Sequence, residues 1–306
     1  MIVVCGEALI DLVPAPGGGA YVPRPGGSPA NVAVALGRLG VDVTLLARLS
    51  TDYFGRLLRG HLTQSMVDLS FAVSAVEQTT LAVVNLDPGG DAGYSFYIEG
   101  CTDGNWRVEE LPTALPPGAA LHVSGSLAMA VPAMGDTLEA LLRREHGRRV
   151  VAFDPNPRPA LSPDANAVRE RLDRWLALAD IVKVSSEDLE WLAPGQSYEE
   201  VAREWREYGP AVVVITRGGN GVYAHGPAGP CALAAHPVVL VDTVGAGDTF
   251  MAGLLAALGG RLTRDALARL DAEDLTDALR FAQRVAAITC TRVGADPPWH
   301  YELDTN

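Results

Sequence analysis

The nine residues Asp242-Thr243-Val244-Gly245-Ala246-Gly247-Asp248-Thr249-Phe250 join a Gly-Ala-Gly turn to a carboxylate. An apolar run, Val238-Val239-Leu240-Val241, leads into them. Behind them, Met251-Ala252-Gly253-Leu254-Leu255-Ala256-Ala257-Leu258 reads as a buried helix. The turn therefore opens a helix and places Asp248 in its first turn. Small residues leave backbone N–H groups free to face a cavity, and a helix N-terminus favours negative charge. An anion hole beside an acid suits phosphoryl transfer, which needs donors for the moving charge and a base for the attacking hydroxyl. The plainer alternative is a capped helix start with a packing glycine.

A second stretch, residues 26–40, opens on Gly26-Gly27-Ser28-Pro29-Ala30-Asn31. Ser28 reads as an N-cap and Pro29 as the first helical residue. Asn31 then lies in the first turn, where its amide either faces a ligand or supports the turn. Asp11 follows the first apolar run, in Gly6-Glu7-Ala8-Leu9-Ile10-Asp11. A carboxylate there can accept two hydroxyl hydrogen bonds and so fix an orientation; a surface turn is the alternative.

In this order, the two stretches resemble the ribokinase-like (PfkB) family of carbohydrate kinases, and the resemblance covers nearly the whole chain. It implies transfer of the ATP γ-phosphate to a hydroxymethyl group of a sugar or nucleoside. Carried over by position, Asp248 is the catalytic base, and Gly245, Ala246 and Gly247 form the anion hole. Asp11, Asn31 and the backbone of Gly26 and Gly27 bind sugar hydroxyls. Thr216, Gly218 and Gly221, in Val212-Val213-Val214-Ile215-Thr216-Arg217-Gly218-Gly219-Asn220-Gly221-Val222, look like the strand and glycine turn near the ATP phosphates. Gln283 stands where many relatives carry Asn beside the adenine.

The family's Asn-x-x-Glu segment, which helps hold hydrated Mg²⁺, is replaced here by Lys183-Val184-Ser185-Ser186-Glu187-Asp188-Leu189. That leaves the magnesium contact open between Asp188 and Glu187, and gives Ser185 an equal claim as a helix cap. Asp242 resembles the carboxylate that helps hold a monovalent cation, with carbonyls from Thr291-Arg292-Val293-Gly294-Ala295. The implied cofactors are ATP and Mg²⁺, with K⁺ as a further implied activator.

Phe153-Asp154-Pro155-Asn156-Pro157-Arg158-Pro159 resembles a segment of fructokinases and 2-keto-3-deoxygluconate kinases. Arg158 there can meet a substrate oxygen or pair with an acid. Fructose is the first expectation for the acceptor, 2-keto-3-deoxygluconate the second and a ribonucleoside the third. Two readings from other classes are a catalytically silent sugar sensor on the same fold and a nucleotide-binding dehydrogenase. The intact Gly-Ala-Gly-Asp turn weighs against the first. The second needs GxGxxG after the first strand, which Cys5-Gly6-Glu7-Ala8-Leu9-Ile10 lacks.

Composition agrees with a soluble enzyme. The chain of 306 residues can bury a sizeable core. A net charge of −13 argues against nucleic acid and anionic membranes as partners. Lys183 is the only lysine and no Walker motif surrounds it, which excludes P-loop kinases. Cys5, Cys101, Cys231 and Cys290 show no zinc-type spacing and read as reduced. The first residues lack a basic leader, and no apolar run reaches the ~18 residues of a membrane span. The cytoplasm is the expected compartment.

Apolar runs at 2–5, 43–47, 121–124, 149–153, 181–184 and 212–216 read as buried strands. They alternate with helical patterns at 134–145, 165–177, 198–208 and 275–291. The expectation is one α/β domain over 1–306, a doubly wound, mostly parallel sheet with ligands beyond the strands' carboxyl ends. Residues 80–86 and 94–98 around Asp87-Pro88-Gly89-Gly90-Asp91 read as a β-hairpin. With residues 9–25, the segment 72–104 is expected to form a small β-sheet lid. The resemblance adds that such lids often pair two subunits into a homodimer.

Overall fold

The structure is a computed structural model that describes residues 1–303 except 16, 18, 87–91 and 163. The strands are β1 (Ile2–Cys5), β2 (Leu9–Pro14), β3 (Tyr21–Gly26), β4 (Val43–Leu46), β5 (Arg48–Ser50), β6 (Val73–Ala75), β7 (Leu81–Leu86), β8 (Ala92–Tyr97), β9 (Ala120–Ser124), β10 (Val151–Asp154), β11 (Ile181–Ser185), β12 (Val212–Thr216), β13 (Val222–Gly226) and β14 (Gly229–Leu233). Eight of them form one sheet in the order β14-β13-β12-β11-β10-β9-β1-β4. The pairs from β4 through β12 are parallel, and β13 and β14 are antiparallel.

The six parallel strands read as nearly unbroken apolar runs because both faces of the sheet are covered. One face packs against the helices Ser28–Arg38, Ala246–Leu258 and Ala272–Thr289, through Val34, Leu36, Leu254, Leu255 and Leu279. The other packs against Pro132–Glu145, Ala165–Leu176 and Tyr198–Tyr208, through Leu138, Leu141, Leu172, Trp175 and Val201. The long helices match the sequence reading to within three residues at each end. The last begins earlier, at Ala272, because Asp271 caps it by accepting from Asp274 N.

The chain enters at β1, crosses to β4 on one side and returns to β9 on the other. That reversal makes a crevice beyond the carboxyl ends of β1 and β9, where ligands of doubly wound sheets bind. The small sheet stands apart, in the order β3-β2-β7-β8. Strands β7 and β8 are antiparallel, while the turn expected at 87–91 lies outside the described residues. Strand β6, inside the expected lid range, belongs elsewhere: it pairs with β5 in a separate two-stranded sheet.

Candidate active site

Asp248 sits in the first turn of the helix Ala246–Leu258 and is only 8% exposed. Its Oδ1 accepts from Ser28 Oγ at 2.7 Å, and its Oδ2 accepts from Asn31 Nδ2 at 2.8 Å. Both carboxylate oxygens are thus aimed by the helix Ser28–Arg38. Ser28 is itself fixed: its N–H donates to Glu7 Oε1 at 3.1 Å, and its hydroxyl accepts from Ser124 Oγ at 2.8 Å.

The expected N-cap role of Ser28 is corrected by this network. Gly27 is the N-cap, with φ 101, and no side chain caps the helix. Ser28 occupies the first helical position, because a carboxylate from the far end of the chain competes successfully for its hydroxyl. Asn31 touches Asp248 and so orients the acid.

Gly245 caps the second helix in the left-handed conformation, at φ 75, as a glycine can without strain. The N–H of Ala246 donates to Thr243 O at 3.1 Å and closes the turn. Ala246 is therefore a spacer, whereas no acceptor among the described residues takes the N–H groups of Gly245, Gly247 or Asp248. Those three donors stand free at a helix N-terminus, an arrangement that favours an anion.

Asp11 lies on β2, within the small sheet. Its Oδ2 occupies the space that a Cβ on Gly26 would need, which accounts for the glycine there. Burial pushes the Asp11 carboxyl up to about 6; Arg158 opposes this and Asp248 adds to it. Burial likewise pushes Glu7 up to about 7, and its Oε2 is buried with no hydrogen-bond partner. Arg158 is delivered by the turn after β10. There Asn156 adopts φ 38, a conformation Asn tolerates, and its Oδ1 accepts from Arg158 Nη1 at 2.9 Å. Asp11 thus lies close enough to Arg158 and Asp248 to feel the charge of both.

The nucleotide candidates are more dispersed. Thr216 ends β12, and Gly218 opens the short turn after it with free space at its Cα. Gly221 lies against the backbone of Leu233 and Ala234, so its missing Cβ serves hairpin packing. Gln283 donates to Ala234 O at 3.0 Å and braces the segment after β14.

Asp188 and Ser185 form a capping box at the helix Ser186–Leu192, with Glu187 in its first turn. Among the described residues, no cluster of three or more His, Cys, Asp or Glu could hold a metal. The residues therefore fit Mg²⁺ only as an ion carried on phosphates and reached through water. Asp242 accepts from Val244 N at 3.0 Å and from Gly294 N at 2.8 Å, which ties the loop 291–295 to the anion-binding turn.

Sequence reasoning missed Glu7, Ser124, Asp154 and Lys183, all buried in this crevice. Lys183 Nζ donates to Asp154 Oδ2 at 2.6 Å. Burial would lower the Lys183 pKa, but Asp154, Asp188 and Asp248 outweigh it and raise it.

A carboxylate held at a glycine-turned helix start, with a small second sheet beside a mostly parallel one, is the arrangement of a carbohydrate kinase of the ribokinase-like fold. The chain belongs to the pfkB family of carbohydrate kinases, whose signature spans residues 1–301. Among its relatives, it is 38% identical over 303 residues to a fructokinase of Klebsiella pneumoniae, covering 98% of this chain and 96% of the other. It superposes on fructokinase with bound ATP from Xylella fastidiosa at a TM-score of 0.88 and 31% identity, covering 99% and 98%. A double mutant of Vibrio cholerae O395 fructokinase in a fructose, ADP and potassium ion bound form matches at a TM-score of 0.83 and 30% identity, covering 96% and 93%.

Proposed function

We propose that this enzyme phosphorylates a primary hydroxyl of fructose with Mg-ATP. The observation that carries the reading is the Asp248 carboxylate, held by Ser28 and Asn31 beside the unpaired N–H groups of Gly245, Gly247 and Asp248. The lid-borne Asp11 and the backbone at Gly26 and Gly27 clamp the sugar, and Arg158 meets one of its oxygens. Asp248 orients the hydroxyl and accepts its proton as the oxygen attacks the γ-phosphorus in line. The N–H groups of the turn take up charge on the phosphoryl oxygens. Thr216, Gly218 and Gln283 border the nucleotide. Asp188 or Glu187 would hold Mg²⁺ through water, and the ion would offset the negative charge of the phosphates. A K⁺ ion beside Asp242 would steady the loop 291–295. The small sheet excludes water, which protects ATP from hydrolysis.

Charge favours a neutral sugar over 2-keto-3-deoxygluconate. Arg158 already feels Glu7 and Asp11, so an acid sugar would meet more carboxylate than guanidinium. The test is ADP release from Mg-ATP with fructose, 2-keto-3-deoxygluconate, ribose, glucose and adenosine. Turnover led by any acceptor other than fructose would refute the substrate assignment, and binding of fructose without ADP release would make the chain a sensor.

Asp11 gives a pH-dependent prediction. Its pKa in the folded protein is raised to about 6, so below that pH it carries a proton and can no longer accept two sugar hydroxyls. For fructose, kcat/KM should be flat above about pH 7 and fall as pH drops through 6. Asp11→Asn should raise the fructose KM about 10–100-fold, the scale of hydrogen bonds to a charged group, with kcat changed far less. An unchanged KM would remove Asp11 from the sugar site.

The lid also exposes Tyr21, Tyr94 and Tyr97 on β3 and β8, its two edge strands. Aromatic edges of this kind suit pairing of two lids, so a homodimer is expected. Sedimentation equilibrium should give twice the chain mass, with Tyr97→Lys shifting it toward the monomer; a wild-type monomer throughout would exclude this interface. Among the described residues no helix is long and apolar enough to cross a membrane. All four cysteines are free, as a reducing cytoplasm would keep them.

A further inference from the structure

The chain's single lysine does not lie on the surface. Lys183, in the middle of β11, has a side chain only 4% exposed, and that of its partner Asp154 is 1% exposed. Register places them side by side, since Phe153 of β10 pairs with Val182 of β11 one residue earlier. One ammonium hydrogen goes to Asp154 Oδ2, and no other acceptor for Lys183 is present among the described residues. Asp154 Oδ1 is likewise buried and without a partner. The pair is incompletely satisfied in a place where incomplete satisfaction is costly.

Stability alone gives no reason to keep it. Replacing a buried ion pair with apolar residues of similar size is often neutral or stabilising. Location supplies the reason. A Cβ on Gly247 would come 3.1 Å from Lys183 Nζ, so the ammonium abuts the anion-binding turn. The surrounding charge is otherwise mostly negative. Asp154, Asp188 and Asp248 all act on Lys183, while Glu7 and Asp11 lie under the influence of Arg158 on the sugar side. Without Lys183, a transferring phosphoryl group would approach a wall of carboxylates.

We propose that Lys183, anchored by Asp154, is a positioning residue for phosphoryl transfer, fixing the turn at Gly247 and holding a positive charge behind it. The inference rests on phosphoryl transfer occurring at that turn. It acts on the rate and leaves sugar affinity alone, because neither Lys183 nor Asp154 is among the charges acting on Asp11.

The test compares Lys183→Met with the double variant Lys183→Met/Asp154→Asn. Measured quantities are the unfolding midpoint without ligands, kcat, and KM for fructose and for Mg-ATP. The single variant leaves a buried carboxylate unpaired, so it should unfold more easily and lose about 10²-fold in kcat. The double variant should recover the wild-type midpoint yet remain at least ~30-fold slow, with the fructose KM within about threefold of wild type. A double variant with kcat within about threefold of wild type would show the pair to be structural and overturn the proposal, as would a loss confined to the fructose KM. Wild-type turnover is the reference: its absence would strike the kinase reading itself, whereas normal wild-type turnover beside an unimpaired double variant would strike only this inference.

Discussion

Asp248→Asn is expected to lower kcat about 10²–10⁴-fold, the usual cost of removing a positioned base. The substitution keeps the shape of a group that is 8% exposed, so folding should survive. It removes the carboxylate proposed to accept the sugar proton and sets an amide against two donors, Ser28 Oγ and Asn31 Nδ2. The loss should appear in kcat and kcat/KM together, with the KM for ATP little changed. Steady-state ADP release with a saturating sugar decides it. A variant within tenfold of wild type would place the base elsewhere.

Gly245→Ala should come second in effect. The residue sits at φ 75, which costs an alanine about 1–2 kcal/mol. Its Cβ would also lie 2.6 Å from Ala295 Cβ and 2.9 Å from Ala295 Cα. Either the loop 291–295 retreats and strains the Gly294 N–H bond to Asp242, or the helix start moves. Both displace the anion-binding donors, and a shift near 1 Å can cost about 10²-fold in rate. A lower unfolding midpoint, a raised KM for ATP and a lower kcat are expected together. Kinetics equal to wild type would mean that the turn does not hold phosphate.

How much of this could be read in advance follows from how local each feature is. The stretch 242–250 was legible because its whole logic, glycine turn, helix start and acid, fits within nine residues. The parallel strands were legible as continuous apolar runs, a direct consequence of burial on both faces. Ser28 was misread because local capping preference lost to Asp248, 220 residues away. Glu7, Ser124, Asp154 and Lys183 stayed hidden because they become neighbours only through sheet register. The Val238-Val239-Leu240-Val241 run shows a further limit: it is apolar yet exposed, with Val239 82% accessible, and forms no strand. Hydrophobicity marks what can be buried, while the topology decides what is.

The bond between Ser28 and Asp248 also has a consequence for synthesis. The helix Ser28–Arg38 is synthesised well before its packing partner Ala246–Leu258 and the acid it orients. At ~5–20 residues per second, the intervening 220 residues take roughly 10–40 s. During that interval Val32, Val34 and Leu36 have no second helix to cover them, and neither end of the nascent chain can do chemistry. A truncated product ending before residue 246 would therefore be inert and sticky, so activity itself reports that translation has passed the acid.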